Sequence, residues 1–195
     1  MLHEDLIATE SPGQHMTEDE FFRFCRDNSD LRIERDKNGN VIIMPPTGFE
    51  TGRRNSNLTT ELTIWHRQQT SSGEVGDSST GYTLPNGAVR SPDASWISHK
   101  RLEKTTPEDR EKFVHAVPEF VVEIRSRTDS PRVLREKMEE YIENGVLLAW
   151  YIDRIGQFVE IYRPGKPVET MEGFDKVLSG EDVLPGFGFD LKWMQ

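Results

Sequence analysis

The chain has a single cysteine and no long apolar run. One cysteine in 195 residues, Cys25, excludes a disulfide within the chain and is typical of proteins in a reducing compartment. The longest apolar stretch, residues 146–150, is far shorter than the about 20 residues that cross a bilayer. The first residues lack the basic start and apolar run of a secretory signal. We therefore expect a cytoplasmic protein.

Motifs of several enzyme classes are also missing. The five histidines show no HExxH spacing, and the chain has neither a Gly-rich phosphate-binding loop nor a Gly-x-Ser-x-Gly sequence. These absences argue against a zinc hydrolase, a nucleotide-binding P-loop enzyme and a serine hydrolase.

Charge is high and unevenly distributed. The formal net charge of −10 argues against a protein that coats nucleic acid non-specifically. Residues 1–20 contain six acids and no Lys or Arg, and we predict a flexible acidic N-terminus over 1–16 and one domain over 17–195. Residues 124–137 contain five basic residues against two acids, which fits either a solvated surface or an anion-binding rim.

Residue patterns predict an alternation of strands and helices. Asn38-Gly39 between two extended runs indicates a hairpin, and Ser130-Pro131 with Asn144-Gly145 delimits a helix. Other predicted helices cover residues 17–25 and 50–68, with helical turns in 99–112. Predicted strands cover residues 31–36, 40–44, 82–84, 89–97, 120–125, 147–153, 158–163 and 187–191. This order indicates an α/β fold, a mixed sheet with helices packed on it.

Two carboxylates lie in predicted strands. Asp93 follows Pro92 in an extended segment, and Glu123 interrupts the apolar run of residues 120–124. A carboxylate in a buried strand is unfavourable unless a cation or a donor compensates its charge. Oxygen ligands from neighbouring strands would suit Mg²⁺ or Mn²⁺. A turn aspartate and a salt-bridged glutamate are the alternative on spacing alone.

Lys137 follows Glu123 on the next predicted helix. With 100° per residue, it lies at the border of the apolar stripe that contains Leu134, Met138 and Tyr141. A lysine that leans inward near a buried glutamate could stabilise charge on a phosphate or orient an attacking water. Alternatively, its stem covers apolar surface while the ammonium group reaches solvent.

These segments resemble the Uma2 family of bacterial proteins, which belongs to the PD-(D/E)XK restriction-endonuclease-like group. The resemblance rests on RSPDASWI at residues 90–97, VPEFVVEIRS at residues 117–126, and the spacing of Lys137, Tyr141 and Gly145. It runs from about residue 17 to about residue 191. The order and spacing of the motifs together are specific.

The resemblance implies an αβββαβ core with an N-terminal hairpin and a C-terminal β extension. Asp93 and Glu123 would bind Mg²⁺ or Mn²⁺, with the backbone carbonyl of Ile124 as a third ligand. The PD-(D/E)XK motif has a lysine at the position that Arg125 occupies in this chain. In the Uma2 family the lysine lies instead on the following helix, at the position of Lys137. Where the family often has a histidine, this chain has Glu50, a further candidate ligand.

The function that follows is a metal-dependent endonuclease that hydrolyses DNA. Arg125, Arg127 and Arg54 are the candidates for DNA binding, and a homodimer is expected because a double-strand cut requires two sites. The alternative is a module that keeps the nuclease fold without turnover and binds DNA or a protein. Arg125 in place of lysine and the acidic net charge favour this alternative. A purely structural partner protein would bind neither metal nor DNA.

Overall fold

The computed structural model of the chain describes residues 16–44, 46–69 and 73–195. Twelve strands, five α-helices and a C-terminal 3-10 helix over Leu191–Met194 occur in these ranges. Their order is α1 (Glu18–Asp27), β1 (Arg32–Arg35), β2 (Val41–Met44), α2 (Phe49–Gln68), β3 (Gly73–Asp77), β4 (Tyr82–Thr83), β5 (Val89–Arg90), β6 (Ala94–Ser98), α3 (His99–Leu102), α4 (Pro107–Arg110), β7 (Phe120–Ile124), α5 (Pro131–Glu143), β8 (Leu148–Asp153), β9 (Phe158–Tyr162), β10 (Glu169–Glu172), β11 (Val177–Ser179) and β12 (Gly188–Asp190). None of the described helices is long and apolar enough to span a membrane.

The central sheet has six strands in the order β10-β9-β8-β7-β6-β3. β7 and β8 are parallel, and the other neighbours are antiparallel. Helix α5 connects the two parallel strands, as a parallel pair requires a crossover. β6, which follows Asp93, pairs with β7, which contains Glu123. The mixed sheet confirms the predicted α/β class.

Helices cover both faces of this sheet. On one face, Phe120, Val122 and Ile124 share an apolar core with α2 and the C-terminal segment. On the other face, Val121 lies in a second core with residues of α5. Side chains alternate between the faces of a strand, so Glu123 lies on the same face as Val121 and points toward α5.

A smaller four-stranded sheet has the order β2-β1-β5-β4. Helix α1 packs on it through Phe21, which contacts Ile33, Val41 and Val89 in a third apolar cluster. A capping box begins α1, since the Thr17 side chain accepts from the backbone N–H of Glu20 and the Glu20 side chain accepts from the backbone N–H of Thr17. Because β1 pairs with β5, this sheet brings the predicted hairpin to the segment that precedes Asp93.

Three strands were not predicted: β3, β10 and β11. β3 has the sequence GEVGD, in which two glycines replace the side chains that usually indicate a strand. A Cβ on Gly73 would lie 2.4 Å from the Trp96 ring, and one on Gly76 would lie 2.6 Å from the Tyr82 hydroxyl. These glycines are thus needed for close packing. The predicted acidic segment 1–16 lies outside the described residues except for Met16.

Candidate active site

Asp93 immediately precedes β6, and Glu123 lies in β7, the strand that pairs with β6. The register ends with Ala94 opposite Val122, so Asp93 and Glu123 are the next residues along the two segments. They are close enough for the charge of Asp93 to add to burial in raising the pKa of Glu123. Both residues are buried, at 6% and 5% exposure. The structure thus brings together the two carboxylates that the sequence singled out.

Asp93 is held by donors on two elements. Its Oδ1 accepts from the Asn55 side chain of α2 at 2.8 Å, and its Oδ2 accepts from the Ile124 N–H at 2.8 Å. The Arg32 guanidinium lies 3.6 Å from Oδ1. Burial nevertheless raises the pKa of Asp93, and these neighbours offset the effect only in part. The carboxylate is thus oriented but incompletely neutralised.

Glu123 receives two contacts from α5, both at Oε1. The Tyr141 hydroxyl donates to it at 2.9 Å, and the Lys137 ammonium lies 2.7 Å away. Burial raises the pKa of Glu123 to about 7; Lys137 opposes the rise, and the charges of Asp93 and Glu34 add to it. Burial thus disfavours the charged form of Glu123 more than its contact with Lys137 favours it.

Lys137 lies between two carboxylates and does not reach open solvent. Its ammonium group is 2.8 Å from Glu34 Oε1 and 2.7 Å from Glu123 Oε1, and only 10% of the side chain is exposed. Burial lowers the pKa of Lys137, but Glu123 and Glu34 outweigh it, so that the pKa is raised. The lysine is therefore charged and directed into the site.

Glu34 on β1 is a site residue that the sequence analysis missed. It is 2% exposed, accepts from the Ser91 N–H at 2.9 Å and pairs with Arg90 at 3.1 Å. Burial alone would raise its pKa, but Lys137 and Arg90 lower it. The sequence contained a signal for Glu34, because it lies between Ile33 and Arg35 in a predicted strand. A carboxylate buried there requires a compensating cation or donor, as Glu123 does.

Ion pairs on both sides of Lys137 fix helix α5. Arg90 donates to Glu140 at 2.6 Å, and Asn86 donates to the other oxygen of Glu140 at 3.0 Å. On the opposite side, Arg135 makes a bidentate contact with Glu160 of β9. Two charged anchors thus set the rotation of the helix, and with it the direction of Lys137.

The remaining predicted residues lie elsewhere. Glu50 is exposed and pairs with Arg53 and Arg54. Arg54 is buried and donates to the Met194 carbonyl at 2.7 Å. Arg125 pairs with buried Asp153 at 2.9 Å. Arg127 is exposed on the loop after β7. In the described structure, none of these four contacts Asp93 or Glu123 through a hydrogen bond or an ion pair.

The donor set suits a hydrated divalent cation. In the described ranges, no group of three or more His, Cys, Asp or Glu side chains is arranged to hold a metal ion. Mg²⁺, however, keeps several waters and binds through one or two carboxylates. Asn55 Oδ1, the oxygen of the amide that contacts Asp93, is buried without a partner among the described residues. This oxygen and the raised pKa values of Asp93 and Glu123 both indicate an environment that a cation would complete.

A mixed sheet carrying paired carboxylates and a buried lysine defines a protein of the restriction-endonuclease-like class. The model of the family described as "Uma2: Putative restriction endonuclease" matches residues 18–192, and the chain belongs to this family. A crystal structure of "a putative nuclease belonging to DUF820 from Anabaena variabilis ATCC 29413" is similar, with a TM-score of 0.73 and 18% identity over 92% of this chain and 99% of that one. That likeness confirms the fold. No curated protein matches the chain.

Proposed function

We propose that the chain is a Mg²⁺- or Mn²⁺-dependent endonuclease of the cytoplasm that hydrolyses phosphodiester bonds in DNA. One observation carries the proposal: the charged Lys137 contacts Glu123, and Asp93 and Glu123 both adjoin the last residue pair of the β6–β7 register. Two carboxylates and a cationic donor on one small surface are the groups that phosphodiester hydrolysis requires. Membership of the restriction-endonuclease-like family supports the same reaction.

Each side chain has a distinct role in this reaction. A divalent cation bound by Asp93, Glu123 and the Ile124 carbonyl would lower the pKa of a bound water and offset charge on phosphate oxygens. Asn55 and the Ile124 N–H fix the orientation of Asp93.

On the other side, Tyr141 and Lys137 hold Oε1 of Glu123, so that Oε2 would be the oxygen that binds the cation. Lys137 then donates to the attacking water or to a phosphate oxygen as charge develops there. Glu34 holds the ammonium group in place while it does so.

DNA would approach over the loop after β7. Arg127 is exposed there and is free to contact a flanking phosphate, whereas the Arg125 guanidinium is held by Asp153. Phosphate contacts of this kind position the duplex without reading its sequence. We further propose a homodimer, because cleavage of both strands requires two such sites.

Cleavage of supercoiled plasmid DNA with Mg²⁺ or Mn²⁺ tests the proposal. We expect nicking by the wild type and none by Asp93→Asn. Lys137→Ala should lower the rate by roughly 10²–10³, the loss seen for a single electrostatic stabiliser, and leave Mn²⁺ affinity near that of the wild type. Lys112→Ala is the matched control, because Lys112 pairs with Asp19 on α1, away from the site. A wild type that cuts neither DNA nor RNA with either metal would refute the proposal.

A nuclease fold that binds DNA without turnover is the second candidate function. Two observations favour it: Arg125 replaces the lysine of the parent motif and is already paired with Asp153, and the chain is strongly acidic. This candidate predicts DNA binding in the presence of EDTA and no cleavage with either metal. Metal-dependent cleavage would exclude it.

A further inference from the structure

Arg32 of β1 lies beside Asp93 but is not hydrogen-bonded to it. Its guanidinium is 3.6 Å from Asp93 Oδ1, which is too long for a hydrogen bond. The neighbouring buried arginine is paired much more closely, since Arg90 donates to Glu140 at 2.6 Å. The charge of Arg32 is therefore directed toward the site, while its hydrogen-bonding capacity is not used by Asp93.

β1 directs two side chains to the site. Glu34, two residues after Arg32, lies on the same face of the strand and contacts Lys137 at 2.8 Å. Lys137 in turn contacts Glu123 at 2.7 Å. Each of the two candidate metal-binding carboxylates thus has one cation beside it: Arg32 at Asp93 and Lys137 at Glu123.

The two cations differ in how accessible they are. The Lys137 side chain is 10% exposed and is held between two carboxylates. The Arg32 side chain is 30% exposed, beside an Asp93 side chain that is 8% exposed. Of the two, Arg32 is therefore the cation that an anion from solvent can reach more easily.

Two buried polar atoms beside Asp93 lack a partner among the described residues: Arg32 Nε and Asn55 Oδ1. Both belong to side chains that contact Asp93 Oδ1. A buried donor of a charged group without a partner is unfavourable, so a ligand that accepts hydrogen bonds from Arg32 would be favoured there. A guanidinium presents its donors in a planar fork that matches the oxygens of a phosphate.

We propose that Arg32 binds a non-bridging oxygen of the DNA phosphate that lies at the Asp93–Glu123 pair. This inference rests on the proposed nuclease function and adds a phosphate-binding residue to it. A phosphate contact carries no sequence information, so Arg32 should contribute equally to the binding of unrelated DNA sequences.

Binding of labelled DNA oligonucleotides at several salt concentrations, followed by fluorescence anisotropy with Ca²⁺ in place of Mg²⁺, tests this proposal. Arg32→Ala should weaken binding roughly 10- to 100-fold, the effect of losing a charged hydrogen bond, and by the same factor on two unrelated sequences. The slope of log affinity against log salt should become shallower by about 0.7–0.9, the contribution of one phosphate contact.

Two further variants make the test specific. Arg32→Lys keeps the charge but loses the fork, so it should restore the salt slope and only part of the affinity. It also carries the test should Arg32→Ala fail to fold. Arg26→Ala is the matched control, because it removes one positive charge from an arginine that pairs with the adjacent Asp27 and with neither site carboxylate. It should leave both the affinity and the slope near those of the wild type.

Mn²⁺ affinity, measured by calorimetry, separates phosphate binding from a role in positioning Asp93. Arg32→Ala should bind Mn²⁺ at least as tightly as the wild type, because a positive charge beside Asp93 is removed. Weaker Mn²⁺ binding by Arg32→Ala, or a DNA affinity and salt slope equal to those of the wild type, would overturn the assignment of Arg32. Plasmid cleavage by the wild type would then still support the nuclease proposal. A wild type that neither binds nor cuts DNA would overturn both.

Discussion

Glu123→Gln should stabilise the protein without metal at pH 8, although it removes a charge that contacts Lys137. The pKa of Glu123 is raised from 4.5 to about 7, mainly by burial, so its charged form is disfavoured in the folded state. Each pKa unit corresponds to about 1.36 kcal/mol, which gives about 3 kcal/mol above pH 7. Glutamine resembles the protonated carboxyl and accepts the same hydrogen bond from Tyr141 without this penalty.

The pH dependence has a defined sign. The folded state keeps the proton up to about pH 7 and the unfolded state only up to about 4.5, so wild-type stability falls as the pH rises between these values. The advantage of Glu123→Gln should therefore be small below pH 4.5 and complete above pH 7. For a chain of this size, about 3 kcal/mol corresponds to a melting temperature roughly 5–10 °C higher.

Thermal melts in EDTA at pH 5 and pH 8 measure this effect. Glu34→Gln is the matched control in the same pocket, because Lys137 and Arg90 lower the pKa of Glu34 despite its burial. Its charged form is stabilised, so Glu34→Gln should lose stability at pH 8. A Glu123→Gln protein that melts below the wild type at pH 8 would refute the reasoning, since Glu123 would then be a net stabilising partner of Lys137.

Three other substitutions give clear expectations. Asp93→Asn should leave the melting temperature in EDTA unchanged or raised and abolish stabilisation by Mn²⁺; a loss of stability independent of metal would make Asp93 a structural residue. Arg125→Ala should cost about 1.5–3 kcal/mol in urea unfolding, because buried Asp153 loses a charged donor; an unchanged midpoint would show that the pair contributes nothing. Gly73→Ala should cost about 1–3 kcal/mol by the same assay, because its Cβ would meet the Trp96 ring. A Gly73→Ala protein as stable as the wild type would contradict the close packing of β3 against Trp96.

The sequence was sufficient to predict most of the fold because its local signals agree with the tertiary structure. Pro131 begins α5 and Gly145 follows its end, with a φ of 104° that suits glycine. The strands that were missed lack such signals. β3 is rich in glycine, and β10 is a mostly exposed edge strand with Met171 as its one apolar residue.

The part of the candidate site that could be predicted consists of charged residues in or beside apolar segments, where burial disfavours a charge. Asp93, Glu123 and Lys137 each stand out against an apolar background, and the structure places them together. Glu34 carried the same local signal as Glu123, but its partner could not be predicted, because the contact with Lys137 joins residues 103 positions apart. The same limit applies to Arg125, whose partner Asp153 lies on a neighbouring strand.

Anomalous diffraction from a crystal soaked in Mn²⁺ tests the central claim most directly. We predict a peak between Asp93 and Glu123, at about 2.0–2.6 Å from their oxygens, and no peak in an Asp93→Asn crystal treated in the same way. A well-ordered crystal at saturating Mn²⁺ without a peak at this position would contradict the assignment of these carboxylates as metal ligands.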